Sequence, residues 1–257
     1  LNRYGLCLVE FCNLADFVID LYERGVITDE DTQGLVLKRD FDTARTLVEQ
    51  ITNREGFGDS LANGWLEVLG TIGKGSEDSA MIVKGQACIR DPRVDGVGTH
   101  EFGEITCPRG PTSAWGISST YMPDLPVDKH KMHAERTGAS KEKLERIFDS
   151  PTGINIGRYT ALSEVWGSVL NILGICELNI IERFYGTAIC AELYSAATGI
   201  ELEPRELMKA GERSWNLLKA INAREGWSRK DDIPPAKWFS TTRRVDKELG
   251  LTDLVKS

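Results

Sequence analysis

The feature that most constrains this chain is a six-residue motif, NxxG(L/I)C, which occurs at residues 2–7 and again at 171–176. The two copies lie about 170 residues apart, well beyond the roughly 20–50 residues of solenoid repeats. The residues after each copy also repeat: Leu21-Tyr22 matches Leu193-Tyr194, Gly25-Val26 matches Gly199-Ile200, and 51–57 matches 221–227. We therefore interpret the chain as a diverged duplication and predict two similar helical lobes that enclose a ligand between them.

The residue types of the motif suit a binding site. Glycine permits positive φ and the close approach of a cofactor, and asparagine can donate to and accept from a polar heterocycle. Cysteine can supply a thiolate to a metal cluster. The structural alternative for either copy alone is a turn at a helix boundary that ends in a buried cysteine. Two copies with matching surroundings favour the binding role.

Composition excludes several classes of protein. The 257 residues are 41% hydrophobic and 27% charged, as in a globular protein, and the net charge of −8 argues against a nucleic-acid partner. No apolar run reaches the length of about 18 residues that a membrane span needs. The six cysteines, at positions 7, 12, 88, 107, 176 and 190, form no CxxC pair. We expect reduced thiols in a cytoplasmic protein.

Hydrophobic periodicity predicts an all-α fold of two lobes, 1–125 and 126–257. Apolar residues recur at helical spacing over 9–24, 41–53 and 180–197, and 159–173 is predicted to be a largely buried helix that leads into the second motif. Glycine and proline are frequent in 80–125, which favours ordered loops over helix. The first lobe would include this loop region, and both lobes would face the ligand.

Two arginines of the loop region are candidate anion ligands. Arg93 and Arg109 each follow a proline that fixes the local chain and can aim a guanidinium at an anion or a carboxylate. The alternative is that Arg93 pairs with Asp91 and holds the loop together.

Four further titratable side chains are candidates for a functional or a structural role. His130 and His133 have the spacing of a metal pair on a helix, but no HExxH pattern accompanies them, and a solvated helix face is favoured. Glu164 lies on the predicted buried helix, where a carboxylate needs a partner or a raised pKa. His100 stands alone beside a glycine-rich loop.

Taken together, the motifs resemble the aldehyde ferredoxin oxidoreductases over most of residues 1–235. The resemblance rests on the two NxxG(L/I)C motifs, Leu21 to Thr28, Arg54 to Asp59, Lys84-Gly85 with Asp91-Pro92-Arg93, and Gly211-Glu212-Arg213. It implies a tungsten or molybdenum ion held by two pterin dithiolenes, a nearby [4Fe–4S] cluster, and two helical C-terminal domains related by a pseudo-two-fold axis.

The resemblance also implies the roles of individual residues. The two pterin-binding motifs of the family fall on two triplets, Asn2, Gly5 and Leu6 for one pterin and Asn171, Gly174 and Ile175 for the other. The fourth cysteine ligand of the cluster falls on Cys176, and the other three ligands of the family precede the first motif. Cys7 stands where the family often has aspartate and is not assigned to the cluster. The catalytic acid and base are not identified.

The implied activity is the oxidation of an aldehyde to a carboxylic acid, with electrons passing through the cluster to ferredoxin or an electron-transfer subunit in anaerobic metabolism. A homodimer is a further candidate assembly. The chain opens at Leu1 without methionine, so we expect a piece of a longer polypeptide, inactive without the N-terminal domain that holds the pterin phosphates.

Three departures from the family pattern keep a second hypothesis open. Asparagine replaces aspartate in both motifs, Pro111 stands near the position where the family often has histidine, and the N-terminal domain is absent from the sequence. The alternative is a helical interaction module that kept the fold and lost the cofactor.

Overall fold

The computed structural model describes residues 1–95, 97–111, 126–151, 153–175 and 185–239. These residues are mainly α-helical, and the strands among them form one antiparallel two-stranded ribbon in which Ile82 pairs with Ala87 and Val83 with Gln86. The all-α prediction is confirmed. The residues form two compact units, one of 1–89 with 233–239 and the other of 90–232. The predicted lobe boundary at 125/126 adjoins undescribed residues and stays a prediction.

The first unit contains four helices, the ribbon and three short 3₁₀ turns. The elements are a 3₁₀ turn Asn2–Tyr4, α1 Leu8–Glu23, α2 Phe41–Asn53, α3 Gly56–Leu61, α4 Trp65–Ile72, a 3₁₀ turn Ser76–Ser79, β1 Ile82–Val83, β2 Gln86–Ala87 and a 3₁₀ turn Ala236–Phe239.

One apolar core holds the first unit together. Phe17 of α1 meets Trp65 of α4 edge-to-face, with ring centroids 5.3 Å apart. Asp40 begins α2 by accepting a hydrogen bond from the backbone N–H of Thr43 at 2.8 Å, which satisfies one of the unpaired donors of a helix start. Gly58 lets α3 pack directly on α2, because a Cβ atom there would lie 2.4 Å from the backbone of Gln50.

The described part of the second unit contains seven helices. They are α5 Pro92–Asp95, α6 Thr99–Thr106, α7 Val127–Arg136, α8 Lys141–Phe148, α9 Ile156–Ile172, α10 Thr187–Thr198 and α11 Pro204–Arg224.

Helix α9 is the centre of the second unit. It packs against α6, α8 and α11, and ten of its residues are buried, so the predicted buried helix is confirmed. It crosses α11 at Gly211, where a Cβ atom would lie 2.6 Å from Val169 Cγ2 and 2.7 Å from the carbonyl oxygen of Val165. The side-chain-free surface of that glycine allows the two backbones to approach.

The prediction that 80–125 forms ordered loops and not helix is wrong for α5 and α6. Gly98 precedes α6, and its backbone N–H donates to Glu101 Oε2 at 2.7 Å, which closes the first turn. Most of the helix is buried and packs on α9, so tertiary contact outweighs the local bias of the surrounding glycines. Residues 112–125 lie outside the described residues.

Candidate cofactor-binding site

The first copy of the motif forms a closed turn before α1. The 3₁₀ turn Asn2–Tyr4 ends at Gly5, which has φ 70° and ψ 18°. The N–H of Gly5 donates to the carbonyl oxygen of Asn2 at 3.2 Å, and the N–H of Leu6 donates to that of Leu1 at 3.3 Å. This pair of bonds around a left-handed glycine is the Schellman ending of a helix.

The second copy forms the same turn at the end of α9. Gly174 has φ 71°. Its N–H donates to the carbonyl oxygen of Asn171 at 3.0 Å, and the N–H of Ile175 donates to that of Leu170 at 2.9 Å. The repeat in the sequence is therefore also a repeat in backbone conformation, with the same two bonds at equivalent positions.

Both turns present an open glycine face. Among the described residues, no atom lies within 4 Å of the position that a Cβ would take at Gly5 or Gly174. Positive φ, not crowding by this part of the chain, is therefore the local requirement for glycine. The two asparagines are exposed, and Asn171 Nδ2 donates to the carbonyl oxygen of Gly167 at 3.0 Å, a bond that an aspartate could not make.

The remaining motif residues have different environments. Leu6 and Ile175, which complete the two triplets, are partly buried. Cys7 is exposed and precedes α1, where its carbonyl oxygen accepts from the N–H of Phe11 at 3.0 Å. Cys176, the predicted cluster ligand, lies outside the described residues. Each triplet is brought together within its own unit.

Of the two interpretations of Arg93, anion ligand or structural partner of Asp91, the structure supports the second. Its side chain is 5% exposed and forms a two-pronged ion pair with Asp91, at 2.8 Å from Nε to Oδ1 and 2.7 Å from Nη2 to Oδ2. The backbone N–H of Arg93 also donates to Asp91 at 3.0 Å. This pair fixes the chain at α5. Arg109 lies in the turn after α6 and stays a candidate anion ligand.

Three of the four other titratable candidates contact side chains nearby, and two of them, Glu164 and His130, are buried. Glu164 accepts a hydrogen bond from Thr106 Oγ1, so the buried carboxylate has a partner, as predicted. His130 is buried with its ring 5.9 Å from that of Tyr159, so the prediction of a solvated face is wrong for it. His133 contacts Arg136 across 2.9 Å. Within the described ranges, no three His, Cys, Asp or Glu side chains converge as a metal site would require.

The fold and the two turns define an internally duplicated helical chain with one candidate ligand turn in each unit. Residues 1–252 match the family described as aldehyde ferredoxin oxidoreductase, domains 2 & 3. The chain belongs to this family and corresponds to the C-terminal part of its members.

Relatives with curated descriptions agree with this assignment. The tungsten-containing aldehyde ferredoxin oxidoreductase of Pyrococcus furiosus is 27% identical over 99% of this chain and 39% of its own length. The protein of the same description from Thermococcus kodakarensis is 23% identical over 93% of this chain and 36% of its own length. The chain thus spans well under half of the relatives it matches.

A solved structure shares the fold. The active-site complex BamBC of benzoyl coenzyme A reductase, in complex with 1,5-dienoyl-CoA, aligns with a TM-score of 0.65 and 23% identity. The alignment covers 94% of this chain and 40% of that one. Among the described residues, no helix is both long and apolar enough to cross a bilayer.

Proposed function

We propose that this chain supplies the pterin-contacting turns of an oxidoreductase that oxidises aldehydes to carboxylic acids at a tungsten or molybdenum bis-pterin site. Electrons would leave through a [4Fe–4S] cluster to ferredoxin or an electron-transfer subunit. Family membership and the descriptions of the relatives support the proposal. The observation that carries it is the pair of matched turns, which share torsion angle, hydrogen bonds and an open glycine face.

The residues of the turns fit a pterin. Its ring has donors and acceptors along one edge, which suit the amides of Asn2 and Asn171, and it is flat enough to lie against the open faces of Gly5 and Gly174. The bond from Asn171 to Gly167 orients one of these amides before any ligand binds. When bound, the metal and its pterins supply the oxidation–reduction chemistry, while the protein binds and orients.

The two asparagines have an electrostatic consequence for that chemistry. Relative to aspartate, each removes one negative charge from the proposed pterin contact. Fewer negative charges stabilise the more reduced state of a nearby redox centre, so the midpoint potential would lie higher than with two aspartates. The metal site would then accept electrons from the aldehyde more readily, and its reduced form would be a weaker reductant.

Cys176 is the proposed iron ligand of this chain, and its replacement tests the function. In the full-length protein purified without oxygen, Cys176→Ala should remove the electron paramagnetic resonance signal of the reduced cluster and lower the iron content. Aldehyde-dependent reduction of a one-electron acceptor should fall with them, since electrons would lose their exit path. An unchanged cluster signal would contradict the ligand assignment.

Cys190→Ala is the matched control for that experiment. Cys190 is buried in α10, and burial raises the pKa of its thiol to about 11, so it stays protonated and is a poor metal ligand. Its replacement should leave the cluster signal intact. A full-length protein that contains neither iron nor pterin would favour the alternative, a cofactor-free helical interaction module.

The chain alone is expected to be inactive, because the resemblance assigns the pterin phosphates and three cluster cysteines to sequence that precedes the first motif. The N-terminal domain of the same protein is therefore its first proposed partner, and a homodimer is a further one. The exposed thiols of Cys7 and Cys12 are compatible with a reducing, cytoplasmic compartment.

A further inference from the structure

An apolar groove runs along the surface of the first unit between α1 and α2. Two adjoining hollows of about 370 and 290 Å³ share the side chains of Phe11, Phe41 and Ala44. Phe41 is 78% exposed and Tyr4, at the end of the groove, 48%. Charged side chains also line the two hollows: Asp16, Arg39 and Asp40 in the first, Arg45 and Glu49 in the second. Aromatic and aliphatic groups with polar groups beside them are characteristic of a site that another element covers.

The duplication identifies the counterpart of this groove in the second unit. Aligning Ile51 with Ile221 superimposes α2 on α11 and places Phe41 at the position of Gly211 and Val48 at that of Leu218. Gly211 is buried because it crosses α9, and Leu218 packs beside the cluster formed by Trp215 and Cys107. The helix face that is covered in the second unit is thus the face that is uncovered in the first.

The first glycine turn indicates which element is absent from the groove. In the second unit, the same turn closes a 17-residue helix, α9, whose residue Leu170 accepts the outer bond of the turn. In the first unit the outer bond goes to Leu1, so that Leu1–Tyr4 has the conformation of a final helical turn. Leu1 and Tyr4 also line the groove.

We propose that the groove is the binding surface of a helix that directly precedes Leu1 in the longer protein, the first-unit counterpart of α9. The occupant is a segment of the same polypeptide, consistent with the 39% of the P. furiosus relative that the chain spans. The inference goes beyond the proposed function and does not depend on it, because a helix in this groove requires no cofactor.

The shape of the groove determines how the helix packs. Gly211 allows α9 to approach α11 backbone to backbone, whereas Phe41 stands at the same position of α2. The preceding helix must therefore present small side chains opposite Phe41 or lie farther from α2 than α9 lies from α11. Val165 and Val169 are the α9 residues at the crossing, five and one residues before Leu170. Because Leu1 corresponds to Leu170, we expect the residues five and one before Leu1 to lie opposite Phe41.

Photocrosslinking in the full-length protein tests the proposal. Phe41 is replaced by p-benzoylphenylalanine, which keeps the aromatic ring, and the crosslinked peptide is identified by mass spectrometry. The expected crosslink joins position 41 to the two helical turns before Leu1. The same replacement of Leu66, which is 73% exposed on α4 of the same unit, should not give this crosslink. A crosslink from position 41 to a second copy, to any other segment, or to nothing would overturn the proposal.

Hydroxyl-radical footprinting of the unmodified full-length protein keeps the proposal testable if the position-41 variant does not fold. Phe41 and Tyr4 should be oxidised several-fold more slowly than Leu66 once their different intrinsic reactivities are taken into account, because the helix covers both rings. Normalised oxidation of Phe41 at the rate of Leu66 would show an open groove and would also overturn the proposal.

Discussion

His100 lies at the start of α6 with 8% of its surface exposed, and its Nε2 atom has no hydrogen-bond partner among the residues that the structure describes. Burial, together with the nearby positive charge of Arg90, lowers its pKa from 6.5 to about 4. The folded protein therefore holds this imidazole neutral under conditions in which the unfolded chain would already bind a proton.

This difference predicts a loss of stability in mild acid. Because the pKa of His100 is lower in the folded state than in the unfolded state, its contribution is present above pH 6.5 and is lost as the pH falls toward 4. The loss between pH 7 and pH 4 is roughly 3 kcal/mol in the free energy of unfolding. Urea unfolding of wild type and of His100→Gln at pH 7 and pH 4 measures this loss. The free energy of unfolding should fall by roughly 3 kcal/mol more in the wild type than in the variant. Equal pH dependence of the two proteins would show that His100 is solvated.

For single residues, the sequence predicts the backbone conformation better than it predicts whether a side chain is buried. The positive φ of Gly5 and Gly174 follows from their residue type and from the repeated motif, because glycine has no steric penalty there. The burial of His130 could not be predicted, since histidine is found both in cores and at surfaces and a charged run surrounds it.

At the scale of elements, the crossing of α9 and α11 requires a residue without a side chain at position 211. Gly211→Ala places a methyl group 2.7 Å from a backbone oxygen, which cannot rotate away. We expect a loss of about 1–3 kcal/mol in the free energy of unfolding, as in other overpacked cores.

Gly70→Ala is the matched control for the helix crossing. Gly70 lies within α4, and no atom in the described part of the chain lies within 4 Å of its would-be Cβ. Alanine should be neutral there or stabilising by up to about 1 kcal/mol, because it is the better helix former. Chemical denaturation of both variants measures the difference, and equal effects would mean that the crossing is looser than the structure shows.

The repeated segments 51–57 and 221–227 show where the prediction of helix ends from the sequence fails. Helix α2 ends at Asn53 and Arg54 takes positive φ, whereas α11 continues through the corresponding residue, Arg224. The glycines that follow, Gly56 and Gly226, both take positive φ. In the first unit α3 folds back onto α2, and the N–H of Gly58 donates to Gln50 Oε1 at 3.2 Å. The ending of a helix is set here by a neighbouring element, which similar local sequences do not encode.

At the scale of the whole molecule, the fold class and the family follow from the sequence because duplication leaves a pattern over many residues. The helical periods, the repeated turns and the spacing between them all agree, and such agreement between levels is what specifies a fold. The groove between α1 and α2 was not predicted. Phe41 occupies an apolar position of the helical pattern, and such a position can be buried or exposed. The pattern alone therefore does not predict that Phe41 is exposed.

The central claim is that the two motif glycines contact the cofactor, and the chain contains a matched control for each. Gly25 and Gly199 also end helices with φ 70° and 72°, and no atom of the described ranges lies within 4 Å of their would-be Cβ positions. Alanine at any of the four positions carries a similar backbone penalty, on the order of 1–2 kcal/mol. Only at Gly5 and Gly174 would the added methyl group also meet the pterins.

The most direct test is the tungsten, molybdenum and pterin content of the anaerobically purified full-length protein. The double variant Gly5→Ala/Gly174→Ala should lose both metal and pterin, while Gly25→Ala/Gly199→Ala should retain the wild-type content at comparable stability. Equal content in the two double variants, or a wild-type protein that holds neither metal nor pterin, would contradict the claim.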